Sequence, residues 1–174
     1  MTEVFKKFIE FGKIILTIIG VISPYPKVDI EQVYVYRDFK NPSNIRSQIR
    51  FANLLNNSII EIITNGTDIE IECFVYTTVE KKEIIREKTS KKITYRNNNF
   101  FVNKLKFKEV KLLSQWLDVF DFVVLTNASK FRKKEVVTEV SLSLKSDLNV
   151  DLGLLWGNRP KLILTYFIED KNEN

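Results

Sequence analysis

Histidine is missing from this sequence altogether, and cysteine occurs once, as Cys73. Without imidazole there is no Ser-His-Asp or Cys-His relay, no histidine metal site and no side chain that titrates near pH 7 unperturbed. One thiol can close no intramolecular disulfide and build no thiolate metal centre. Glycine and proline are also sparse, at five and four in 174 residues, so neither a glycine-rich phosphate loop nor a proline-rich recognition tract is present. These absences argue against an enzyme. They also leave no cofactor and no metal to be expected.

What remains has the composition of one folded domain: 44% apolar and 28% charged residues over a length typical of a single core. The first 24 residues differ from the rest. Glu3, Lys6, Lys7, Glu10, Lys13, Thr17 and Gly20 recur three or four apart, the period of one helical stripe. Phe5, Phe8, Ile15, Ile19 and Ile22 belong to the wide apolar arc around it, and Pro24 and Pro26 end the pattern. The spacing predicts an amphipathic helix over residues 1–24. Its continuous apolar stretch, 14–22, spans roughly 14 Å, well short of the ~20 residues that cross a bilayer. No small-x-small cleavage site follows it, as a signal peptide would require. Three placements are open to such a helix: against its own domain, in a membrane interface, or on a partner.

From Lys27 the period changes to two. Ile69, Ile71, Cys73 and Val75 alternate with Glu70, Glu72, Phe74 and Tyr76, and 136–144 alternates in the same way. Further short runs at 28–36, 49–51, 59–63, 84–87, 92–95, 100–107, 119–125 and 161–168 are separated by turn formers such as Asn41-Pro42-Ser43-Asn44 and Asn97-Asn98-Asn99. One interruption, Leu112, Leu113, Trp116, Leu117 and Phe120, has helical spacing and predicts a short helix near 111–118 that plugs the core with Trp116. Many short strands at near-regular spacing predict a mainly β domain over 27–170, an antiparallel β-sandwich of immunoglobulin-like or related layout. The layout resembles the sandwich domains used as binding modules, without the paired cysteines of antibody-type domains.

Charge is unevenly spread. Residues 81–134 carry 15 basic and 5 acidic side chains, whereas both flanking segments are net acidic. Lys88, Lys91, Lys92, Lys104, Lys106, Lys108, Lys130, Arg132 and Lys133 are the candidate anion-binding residues. In Lys104-Leu105-Lys106-Phe107-Lys108, strand alternation predicts three ammonium groups on one face, with Leu105 and Phe107 turned inward. Such spacing suits phosphates or anionic headgroups, although lysines on exposed strands also serve against edge-to-edge aggregation. Asp147, Asn149 and Asp151 have the spacing of an oxygen-ligand loop but lack the glycine and closing glutamate of a calcium hand, and read as a polar turn.

The function expected from these features is a non-enzymatic interaction module that holds a protein partner, or a second copy, through its sandwich or its N-terminal helix. Peripheral attachment to a membrane surface through the helix is the second expectation, and nucleic-acid or polyanion contact through 81–134 the third. The single cysteine and the missing cleavage site favour a cytoplasmic location, with membrane association through the helix as the alternative.

Overall fold

The structure, a computed structural model, describes residues 27–168. The expected N-terminal helix, with Phe5, Phe8, Ile15, Ile19 and Ile22, lies outside the described residues. Two antiparallel sheets account for most of the rest. β1 (Asp29–Arg37), β2 (Ile45–Ala52) and β7 (Val119–Leu125) form a three-stranded sheet in the order β1-β2-β7. β3 (Ile69–Val79), β4 (Lys82–Arg96), β5 (Asn99–Val102), β6 (Leu105–Phe107), β8 (Glu135–Ser146) and β9 (Lys161–Phe167) form a six-stranded sheet in the order β6-β5-β4-β3-β8-β9. Inward side chains of both sheets meet in one buried cluster that includes Ile49, Phe51, Phe120, Ile71, Cys73, Val75, Val140 and Leu144. Among the described residues, no helix is long and apolar enough to cross a membrane.

Alternation accounts for the central pair. In β3 and β8 every second residue is buried, and the register sets Ile71 beside Leu144 and Val75 beside Val140. Opposed β-branched and leucine side chains on one face are the main source of stability in such a pair. Thr77 and Thr138, also inward, satisfy each other through a 2.9 Å hydroxyl hydrogen bond.

Three local expectations are corrected. The run 59–63, read as a strand, is part of the helix α1 (Asn57–Thr64). Ile59, Ile62 and Ile63 are buried on one side, and Asn56 caps the helix by accepting from the Ile59 amide at 3.0 Å. The Asn56 amide also donates to the Leu155 carbonyl at 2.6 Å, which fixes the cap to the core. A short apolar run carries no period of its own, and here the cap settled the outcome. Second, the runs 84–87 and 92–95 are one strand, β4, because each residue of the polar stretch between them pairs with β3, as in Phe74 with Lys88 and Ile71 with Lys91.

Third, the short helix is present as α2 (Val110–Leu117), but Leu113 and Leu117 are its buried residues and Trp116 is only half-buried, against Phe107. The fully buried tryptophan is Trp156, whose indole N–H donates to the Leu54 carbonyl at 3.0 Å.

Turn chemistry sets the sheet order. Asn97 and Asn98 both adopt positive φ, 49° and 57°, the left-handed pair that closes a two-residue hairpin between β4 and β5. The β3–β4 turn uses the same geometry at Glu80 and Lys81, φ 50° and 65°, without asparagine or glycine to announce it. Asn158 brackets the start of the described chain, accepting from the Val28 amide and donating to its carbonyl, each at 3.0 Å.

Candidate functional site

β3 is an interior strand, so the side chains that alternate away from the core are spread over the solvent face of the larger sheet. Pairing places them in rows. Arg86, Tyr76, Glu139 and Ile163 lie side by side across β4, β3, β8 and β9, and Lys88, Phe74, Ser141 and Lys161 form the adjacent row. Phe74 and Tyr76 are 38% and 37% exposed in mid-sheet, where neighbouring strands would usually be expected to present polar groups. Each ring carries a cation: the Arg86 guanidinium is 5.6 Å from the Tyr76 centroid and the Lys88 ammonium 5.7 Å from that of Phe74. Ile163 and Phe167, at 58% and 63% exposure, extend the apolar surface to the sheet edge.

Below these rows the same face holds a buried acid. Glu72 is 3% exposed and is met by Lys88, by the Lys145 ammonium at 3.0 Å and by the Ser143 hydroxyl at 3.0 Å. Burial alone would raise its pKa, but the hydrogen bonds from Lys88, Lys145 and Ser143 outweigh it and hold the carboxyl below its ordinary value. Lys92 pairs with Asp68 at 3.2 Å, and Lys161 with Glu139 at 2.9 Å. The face is therefore a fixed grid of satisfied charge around two exposed rings.

Lys91, one residue out of phase with this face, points inward. Its ammonium donates to the carbonyls of Trp116, Leu117 and Val119 at 2.9, 2.9 and 2.6 Å, and sits 4.4 Å from the Trp116 ring centroid and 4.2 Å from that of Phe120. Burial lowers its pKa to about 8, partly offset by the negative charge of Asp118. A cation whose three protons are taken by two carbonyls at the end of α2 and one at the start of β7 ties the helix and that strand to β4, and has none left for an outside anion. Asp118 itself is pushed up to about 6 by burial, and its Oδ1 has no hydrogen-bond partner among the described residues.

The remaining basic candidates occupy two separate places. Lys104, Lys106 and Lys108 are exposed at the β5–β6 hairpin, which pairs with the Ile93–Arg96 end of β4. Lys130, Arg132 and Lys133 lie in and after a 3-10 turn, Ala128–Phe131, whose following Lys134 pairs with Glu80 at the opposite end of that strand. The turn at Asn103 and Lys104 also breaks the expected alternation: Val102 pairs with Leu105 and Phe101 with Lys106. Leu105 is consequently at an edge and 47% exposed, rather than in the core.

Burial pushes the Cys73 thiol up to about 12, which leaves it protonated and unreactive. Asp151 accepts from the Gly153 amide at 2.8 Å and from Arg159 at 2.7 Å, so the 147–151 run is a tied polar turn. Among the described residues, no three or more Cys, Asp or Glu side chains come together in a group that could hold a metal ion. Arg86, Phe74, Tyr76 and Ile163 were not singled out from sequence as a site. The alternation put Phe74 and Tyr76 on the outer side, but only strand pairing puts Arg86 and Ile163 beside them. Comparison with known proteins adds nothing to this geometry: no family model, no curated protein and no solved structure matches the chain.

Proposed function

We propose that the domain is a non-enzymatic interaction module that holds a protein partner on the solvent face of its six-stranded sheet. The observation that carries this reading is the pair of exposed rings, Phe74 and Tyr76, in mid-sheet under Arg86 and Lys88. Aromatic and arginine side chains held rigidly together are the residue types that dominate binding energy at protein interfaces. The Glu72 network beneath them supports the reading, since it fixes the face before contact and lowers the ordering cost of binding. A fitting partner offers apolar contact for the rings, on a face whose cations already have carboxylate partners, Arg86 with Glu83 at 3.1 Å and Lys88 with Glu72.

The finer architecture belongs to the same proposal. We read the two sheets as layers of an immunoglobulin-like β-sandwich, a reading supported by pairings between strands far apart in sequence, β2 with β7 and β3 with β8.

Affinity capture on the tagged full chain tests the function. Phe74→Ser together with Tyr76→Ser is expected to lose the specifically captured polypeptide while keeping the wild-type melting profile. Lys104→Glu with Lys106→Glu and Lys108→Glu is expected to retain it. The reverse pattern, especially with nucleic acid in the captured fraction, would replace this reading with polyanion binding through the hairpin.

A further inference from the structure

The four outer strands of the two sheets are not equally protected. β6 is three residues long and carries Lys106, with Lys104 and Lys108 exposed on either side. β1 bears Asp29, Glu31 and Arg37 and is broken by a register shift between Ile30 and Gln32. β7 lies against β3 and β4. Short length, charge and bulges are the usual means by which sheet edges avoid pairing with other chains. β9 uses none of them beyond its first residue: Leu162-Ile163-Leu164-Thr165-Tyr166-Phe167 has no charge, glycine or proline, and among the described residues no strand pairs on its far side.

The direction of its backbone groups follows from one bond. The Pro160 carbonyl accepts from the Leu142 amide at 3.2 Å, so the even-numbered residues of β9 turn their amides and carbonyls toward β8. Lys161, Ile163, Thr165 and Phe167 therefore direct theirs outward. Their side chains also lie on the exposed face.

From these observations we propose that β9 pairs antiparallel with β9 of a second copy of this chain, about a two-fold axis at Leu164, joining two six-stranded sheets into one. The occupant is a second copy because the edge is complementary to itself. With the axis at Leu164, Ile163 faces Thr165 of the second copy and Lys161 faces Phe167. All four are outward-directed residues, so each pair exchanges both of its amide hydrogen bonds. Leu164 meets its own equivalent on the inner face, Ile163 and Phe167 of the two copies become diagonal neighbours, and no like charges are opposed. The pairing uses the edge of the sheet and leaves Phe74 and Tyr76 open; Ile163 belongs to both surfaces, and Thr165→Pro, which leaves its side chain in place, distinguishes the two proposals.

Amide hydrogen exchange on the full-length chain, read beside its mass in solution over a concentration series, tests the proposal. The expected result is a dimer in which the Ile163 and Thr165 amides exchange at least about tenfold more slowly than at dissociating concentrations, while Leu162 and Leu164 are protected at both. Thr165→Pro removes an amide that bonds nothing in β8 and is expected to give a folded monomer. Ile163→Lys, which changes only a side chain, is expected to do the same. Three results would overturn the proposal: fast exchange at Ile163 and Thr165 at every concentration, their protection in a monomer, which would mean that the chain's own termini cover the edge, or a dimer that survives both substitutions.

Discussion

Asp118 is the least comfortable residue in the fold. Its pKa rises from 3.8 to about 6 because burial disfavours the carboxylate, and its Oδ1 finds no donor among the described residues although Ser114 serves Oδ2 at 3.2 Å. A folded-state pKa above the unfolded one means that the native protein binds this proton more tightly. Asp118 thus costs nothing below about pH 4, and its cost grows as pH rises through 6. Asp118→Asn keeps an acceptor for Ser114 and removes the buried charge. It is expected to raise stability at pH 7 by about 1 kcal/mol, or a melting shift of roughly 2 to 4 °C. The gain should vanish near pH 4, and thermal melts at the two pH values check both. Glu72 has the opposite sign. Its lowered pKa contributes stability above its ordinary value of 4.5 that is lost as pH falls below it.

At the scale of elements, Lys91 is the join between β4 and α2. It supplies from another strand the donors that the last carbonyls of a helix cannot find within it. Lys91→Met keeps the length and the contact with Trp116 and Phe120 but strips all three donors, and is expected to cost about 1 to 3 kcal/mol. Urea unfolding would show this as a lower midpoint at unchanged slope. Nothing in the sequence marked Lys91 apart from the lysines around it, since a basic run looks the same whether its members face water or carbonyls. The strands were legible where burial alternates, in β3, β7 and β8. They were not legible where a side-chain cap decides, as Asn56 does for α1, or where backbone pairing alone carries a polar stretch, as in Lys88 to Lys91 of β4. The Glu80-Lys81 turn was equally silent, because its left-handed residues are not the usual ones.

For the molecule as a whole, charge counting found the basic third of the chain but not its use. Lys88 and Lys92 neutralise Glu72 and Asp68, Lys91 is spent inside, and the hairpin and 3-10 turn lysines sit at opposite ends of β4. The surface we propose as functional is instead the aromatic pair roofed by cations, an arrangement that depends on register between four strands. A photo-crosslinking phenylalanine placed at position 76 and, in a separate chain, at position 106 tests that claim most directly in the cells that make the protein. The account predicts one discrete heteromeric adduct from position 76, competed away by the unmodified chain, and none from 106. An adduct from 106 alone would contradict it and move the functional surface to the basic hairpin.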